Sequence, residues 1–220
     1  MSDRFKGAGW FSEIEKHKIL IVGAGGIGSW TALALSRCGF QETILMDNDN
    51  VDNTNLSGQF FYINQINHYK VEAVNANVNL YCGSRLNALP YKFKHGMKLD
   101  KTNIFISAVD NVEGRRDVYK AFLECDKTNK LFIDGRLSAE FFELKVLTEL
   151  STSEEHLLYL KSLDLLSTLE QEDCTYKQTT HIAMIIAGYI TSTVTNYIHN
   201  VKLGQDLFNV KDVTFNAQIL

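Results

Sequence analysis

Several residues of this chain stand where they could handle a nucleotide. Gly23-Ala24-Gly25-Gly26-Ile27-Gly28 can present backbone N–H groups to an anion if it joins a strand to a helix. The helix start then adds the positive end of its dipole. In such a loop Gly23 permits the tight turn, Gly25 lets a phosphate approach the backbone, and Gly28 lets helix pack on strand. Asp47 follows Gly28 by about 20 residues, where a carboxylate meets ribose hydroxyls in dinucleotide folds. A glycine turn with no ligand and a solvated aspartate are the plainer readings. On these two features alone, an NAD-dependent enzyme is as good a reading as an ATP-dependent one.

The elements around them supply the required context. Lys18 to Val22 is a short apolar run rich in β-branched residues and reads as a buried strand. Ser29 to Cys38 reads as a helix that Gly39 ends. Thr43 to Met46 is a second strand ending at Asp47. From Gln65 to Tyr81 the residues Val71, Val74, Val78 and Tyr81 fall on one helical face. Leu89 to Phe93 reads as an edge strand, on account of Pro90. Further strands are expected at Ile104–Ile106, Leu131–Ile133 and Phe141–Leu147, with a helix from Val112 to Cys125. This alternation predicts a Rossmann-like α/β fold: a mostly parallel sheet with helices on both faces, plus antiparallel strands toward the C-terminal part. Ser151 to Cys174 breaks the rhythm; it is Leu-rich and acidic and is expected to hold one or two short helices. His181 to Asn200 reads as a long apolar helix, and Asp212 to Ile219 as a closing strand.

Residues beyond the glycine loop favour ATP. The stretch from Asp47 to Phe60 is dense in carboxylates and amides and falls at the C-terminal edge of the sheet, where ligands bind. Lys70, at the start of a helix, can place a point charge on phosphate. Asp110, past the end of a later strand, could hold Mg²⁺ through its carboxylate. Anion-binding backbone, a lysine and a separate carboxylate make a polyphosphate–metal arrangement, and no His stands at an obvious strand end to act as a dehydrogenase acid.

Taken together, Ile21-Val22-Gly23-Ala24-Gly25-Gly26-Ile27-Gly28-Ser29, Asp47-x-Asp49-x-Val51-x-x-x-Asn55-Leu56-x-x-Gln59, Lys70-Val71-Glu72-Ala73 and Asp110-Asn111-x-x-x-Arg115 resemble the ThiF/MoeB/HesA family, bacterial relatives of the ubiquitin-activating enzymes. The motifs keep the family's order and spacing from Lys18 to Arg115. The opening Arg4 to Phe11 is similar to small ThiF-type proteins of bacteria and their phages. The resemblance implies that ATP and Mg²⁺ adenylate the C-terminal glycine carboxylate of a small ubiquitin-like or sulfur-carrier protein. It implies that Gly25 and Gly28 face phosphates, Asp47 and Asp49 the ribose side, Asn55 and Lys70 the phosphates, and Asp110 the Mg²⁺. Gly23, Gly26, Gln59 and Asn111 complete the implied nucleotide site. It also implies a homodimer.

Two positions depart from the family pattern. Gly58 stands where many members carry an arginine, and Gly7 where another phosphate-contacting arginine is expected. Arg4, Lys6, Arg115, Arg116 or Arg136 could substitute, or a partner chain could donate the charge. Without replacement, a catalytically impaired scaffold is an alternative function.

The cysteines Cys38, Cys82, Cys125 and Cys174 form no C-x-x-C pair, so no structural zinc is expected. Cys174 lies where the family has a crossover loop and is a candidate acyl acceptor; the implied loop or helical insertion spans 151–174. Cys38, Cys82 and Cys125 fall near predicted helix ends and read as packing residues. His181 reads as a structural histidine, and Trp10 and Phe11 as packing anchors.

Composition closes off other classes. The chain of 220 residues reads as a single adenylation domain, 1–220, with no linker or repeat. A net charge of −4 and six scattered His argue against nucleic-acid binding. No apolar run reaches the roughly 20 residues that span a bilayer, and the N-terminus lacks a signal-peptide pattern, so no membrane partner and a cytoplasmic location are expected.

Overall fold

The computed structural model describes residues 3–168, 179–204 and 211–217. Its sheet has seven strands in the order β3-β2-β1-β4-β5-β6-β7. The strands are β1 (Lys18–Val22), β2 (Thr43–Met46), β3 (Asn87–Leu89), β4 (Thr102–Ser107), β5 (Leu131–Ser138), β6 (Phe141–Thr148) and β7 (Val213–Asn216). The first five pair in parallel, whereas β6 is antiparallel to both β5 and β7. Strand order runs outward from β1 to β3 on one side and from β4 to β7 on the other, so the C-terminal ends of β1 and β4 form a crevice of the kind in which α/β folds hold ligands.

The parallel strands are apolar on both faces because each face is covered. Ile19 and Ile21 of β1, with Ile104 and Ile106 of β4, face α1 (Gly26–Cys38), α2 (Lys70–Cys82) and α5 (Thr180–Leu203). Leu20 and Val22 point the other way, toward α3 (Val112–Glu124) and α4 (Ser153–Thr168). Trp10 stacks on Phe40 at 6.2 Å, which fixes the segment before β1 against the end of α1.

Several boundaries differ from those expected, and four of the differences bear on the site or the core. β3 ends at Leu89 rather than running to Phe93, because Pro90 has no N–H to continue a ladder. The Gln65–Tyr81 helix is instead a 3₁₀ turn, Ile63–Gln65, followed by α2 starting at Lys70. β5 runs on to Ser138, so Arg136 lies inside a strand rather than past its end; the hairpin with β6 supplies the extra pairing. In the described part of the segment after Ser151, 151–168, there is one helix of 16 residues, longer than the short helices expected. A reciprocal cap starts it: the Thr152 N–H donates to Glu155 Oε2 at 2.6 Å, and the Glu155 N–H donates to Thr152 Oγ1 at 3.2 Å.

Candidate nucleotide-binding site

The glycine loop hangs from the end of β1. Gly23 donates its N–H to the Met46 carbonyl of β2 at 2.8 Å, and the Val22 carbonyl accepts from Ala108 N–H at 2.8 Å. Gly23 has φ of +98°, and a Cβ there would fall 2.4 Å from the Ala108 carbonyl oxygen. A Cβ on Gly28 would fall 1.8 Å from the Gly23 carbonyl oxygen. Protein backbone therefore dictates both of these glycines. Gly25 is different. A Cβ there would meet nothing nearer than the Gln59 amide at 3.9 Å, so no protein contact requires glycine. The open space lies at the N-terminus of α1, where backbone N–H groups and the helix dipole favour an anion.

Asp47 braces this loop. Its Oδ2 accepts from the Ala24 N–H at 2.7 Å and its Oδ1 from the Asp49 N–H at 2.7 Å. Burial pushes the Asp47 carboxyl above the ordinary range, while the two N–H donors oppose that rise. One carboxylate thus ties the end of β2 to the loop after β1. Sequence reasoning assigned Asp47 only to ribose; the contact with Ala24 needs the parallel register of β1 and β2, which spacing does not reveal.

The segment after Asp47 is held by short local bonds. Asp52 Oδ1 accepts the N–H of Thr54 and Asn55, and Asn55 Oδ1 accepts the Asp52 N–H. Asn55 is buried and its Oδ1 is committed, so a ligand would meet its amide nitrogen, a donor suited to phosphate. Ser29 Oγ accepts the Phe60 N–H at 3.0 Å, and Trp30 Nε1 donates to the Gly58 carbonyl at 3.2 Å. Gln59 Oε1 is buried without a hydrogen-bond partner. That orphaned acceptor belongs to the side chain nearest the open face of Gly25, and it calls for a donor such as water or a ligand N–H or O–H.

Lys70 opens α2 and is only 9% exposed. Its N–H bonds the Asp49 carbonyl at 2.9 Å, and its Nζ lies 2.9 Å from Asp49 Oδ2. A short antiparallel bridge between Asn50 and Tyr69 brings the two segments together. Asp110 stands exposed three residues beyond β4, on the strand beside β1. Asn111 caps α3 by accepting the Gly114 N–H at 2.8 Å. Direct contacts thus join Ala24, Asp47, Asp49 and Lys70, the Gln59 amide flanks the open face of Gly25, and Asp110 lies at the neighbouring strand end.

Arg115, Arg116 and Arg136, three of the candidate phosphate clamps, are committed elsewhere. Asp134, fully buried in β5, pairs with Arg115 Nη1 and, at 2.8 Å, with Arg136 Nε. Arg136 also reaches Glu143 at 3.1 Å and Ser162 at 2.9 Å, and Arg115 donates to the Gly135 carbonyl at 3.0 Å. Both guanidiniums balance one buried carboxylate, so neither replaces a phosphate clamp. Arg116 pairs with Asp164 at 2.5 Å. This network was missed because Asp134 looked like a strand-end residue rather than an interior one.

Cys38, Cys82 and Cys125 are unpaired and packed against the two cores, and burial raises the thiols of Cys38 and Cys82. Cys174 lies outside the described residues. Among the described residues no group of three or more His, Cys, Asp and Glu could hold a metal ion. Mg²⁺ does not need one, since it is commonly held by one or two carboxylates together with substrate phosphates. Asp110, which follows Ala108 and Val109 beside Gly23 of the glycine loop, fits that pattern. No described helix is long and apolar enough to cross a membrane.

A glycine loop at the β1–β4 switch point, braced by Asp47, marks a Rossmann-like α/β protein. The chain belongs to the ThiF family, which matches residues 3–218. It is 30% identical over 143 residues to ubiquitin-like modifier-activating enzyme 5 of Caenorhabditis briggsae, covering 58% of this chain and 32% of the relative. The same enzyme of Branchiostoma floridae is 28% identical over 144 residues, covering 58% and 35%. The chain therefore spans about a third of the length of these relatives. Among solved structures, Escherichia coli MccB has a TM-score of 0.69 at 17% identity, covering 96% of this chain and 62% of that one. PaaA has a TM-score of 0.70 at 17% identity, covering 99% and 66%. These likenesses share the fold.

Proposed function

We propose that this chain is a single ThiF-type adenylation domain, cytoplasmic and homodimeric, that uses ATP to activate the C-terminal glycine carboxylate of a small ubiquitin-like or sulfur-carrier protein. The observation that carries the reading is the open face of Gly25, set between the orphaned Gln59 amide and the start of α1. Solved MccB complexes with ATP, and with AMPCPP together with MccA, support a nucleotide and a second ligand bound alongside it.

In this mechanism the carrier's carboxylate attacks the α-phosphorus, the bond from that phosphorus to the pyrophosphate oxygen breaks, and pyrophosphate leaves. The attacking group is already ionised at neutral pH, so no general base is required. The protein's part is positioning and charge neutralisation. The backbone after Gly25 and the Asn55 amide bind phosphate oxygens, and Asp47 and Asp49 orient the ribose. Lys70 exchanges its Asp49 partner for phosphate. Asp110, with Asn111 at the same helix start, would hold Mg²⁺, which supplies charge neutralisation on the departing pyrophosphate. Cys174 then accepts the acyl group: its thiolate attacks the acyl carbon, the acyl–phosphate bond breaks, and AMP leaves.

The test is ATP–pyrophosphate exchange with a β-grasp protein ending in glycine. Exchange that depends on the terminal glycine and is lost in Asp110→Ala is expected; exchange unchanged by Asp110→Ala overturns the metal assignment. Cys174→Ala should keep exchange and lose a thiol-sensitive carrier adduct. A second reading, a nucleotide-binding scaffold without turnover, is favoured by the commitment of Arg115 and Arg136 to Asp134. It predicts ATP binding with no exchange.

A further inference from the structure

A second cleft lies at the opposite edge of the sheet. Its volume is about 660 Å³, within the size of ligand pockets, and its walls come from the segment before β1, the loops before β4 and β5, and the end of α5. His17 and Asn103 form part of it at the N-terminal ends of β1 and β4. The glycine loop, Asp47 and Asp110 all follow C-terminal strand ends. The length of β1, about 16 Å at 3.3 Å per residue, separates the two edges.

The bonding of Asn103 fixes the chemistry of the cleft. Its Oδ1 accepts the Lys18 N–H at 3.1 Å, so its Nδ2 is the group that donates to the Asn129 carbonyl and to His17 Nδ1, each at 2.9 Å. With Nδ1 accepting, a neutral His17 carries its proton on Nε2. His17 is 7% exposed, and Nε2 has no hydrogen-bond partner among the described residues. His17 lines the cleft, and its Nε2–H is left free to donate to an acceptor there.

The rim is cationic although the protein as a whole carries −4. Lys16, Lys101, Lys127 and Lys202 line the cleft, against Glu13. Lys16 pairs with Glu13 at 2.6 Å, and Lys202 donates to the Gly9 carbonyl and Ser12 Oγ. Lys101 and Lys127 are exposed and make no ion pair among the described residues. They do not serve the C-terminus of α3 either. Lys130 does that, donating to the carbonyls of Phe122, Leu123 and Cys125.

We propose that this cleft binds an acidic segment of a partner protein, with one carboxylate accepting from His17 Nε2 and the flanking acidic residues facing Lys101 and Lys127. An extended acidic peptide suits the site better than a free phosphate. The lysines stand on separate loops around an open cleft, with one fixed donor at its floor and no loop of converging backbone N–H groups as in phosphate sites. The inference does not depend on the nucleotide reading.

The experiment uses a fluorescein-labelled Glu-rich decapeptide and the full chain, followed by anisotropy. Binding is expected, with at least a roughly tenfold loss of affinity in the Lys101→Glu/Lys127→Glu double variant and a similar loss in His17→Phe. The lysine substitutions are on the surface, so the double variant should retain its thermal transition and its ATP affinity. Absence of binding, or equal binding by the double variant, overturns the proposal. So does a Lys-rich decapeptide that binds equally well. Displacement by inorganic pyrophosphate below the peptide's own dissociation constant would show a free-phosphate site and would also overturn it.

Discussion

Lys70 Nζ lies 2.9 Å from Asp49 Oδ2, while the two residues' backbones are joined by a second bond of 2.9 Å. The lysine is therefore fixed at both ends, with its main chain tied to the Asp49 loop and its charge held by the same residue. Lys70→Ala should lower ATP affinity by about 10- to 100-fold, the loss expected for a charged hydrogen bond of about 1.5–3 kcal/mol. Isothermal titration of ATP against both proteins checks this. Equal affinities would remove Lys70 from the site.

The glycines separate folding from binding. Gly28→Ala would push a Cβ to 1.8 Å from the Gly23 carbonyl oxygen, so the variant should be poorly folded. Gly25→Ala meets only the Gln59 amide at 3.9 Å and should fold, with a thermal transition close to that of the parent. Its nucleotide affinity should fall, because the methyl enters the space left for phosphate. Circular dichroism melts paired with ATP titration distinguish the two. A Gly25→Ala protein that binds ATP normally would contradict the cradle.

Asp134 is the anchor of the interior charge network. It is 0% exposed and compensates Arg115 and Arg136 together. Asp134→Ala leaves two guanidiniums short of a partner in a buried site, and removal of one member of a buried pair typically costs about 3–5 kcal/mol. Urea unfolding should show that loss as a lowered midpoint. A change below about 1 kcal/mol would mean that water or Glu143 replaces the carboxylate.

Two histidines give a pH dependence of stability. Burial depresses the pKa of His17 and of His156 below the ordinary value of 6.5. Above that value both are neutral, folded or unfolded, and contribute nothing. As pH falls below it, the unfolded chain takes up protons that the folded chain resists, so stability declines until the folded-state values are reached. Urea midpoints should therefore be flat from pH 8 to 7 and fall from pH 6.5 toward 5. Part of that slope should vanish in His17→Gln.

Much of this arrangement was legible in the sequence. Lys18–Val22, the glycine loop and Asp47 predicted strand, turn and strand end because each depends on local residue types. Asp110 and Lys70 were placed at element ends by the same kind of signal. What escaped depends on pairing across the sheet. The bond from Ala24 to Asp47 follows from the parallel register of β1 and β2. The burial of Asp134 follows from the hairpin that extends β5 beyond Ile133. The arginines at positions 115 and 136 offer charge to the phosphates in sequence, but Asp134, on the strand that carries Arg136 and beside Arg115 of α3, pairs with both.

The central claim is that the crevice holds ATP rather than a nicotinamide cofactor. Titrating the purified protein with ATP in the presence of Mg²⁺, and separately with NAD, tests it most directly. Saturable ATP binding that weakens in Lys70→Ala is expected, with no saturable binding of NAD at the same concentrations. Tighter binding of NAD than of ATP would contradict it.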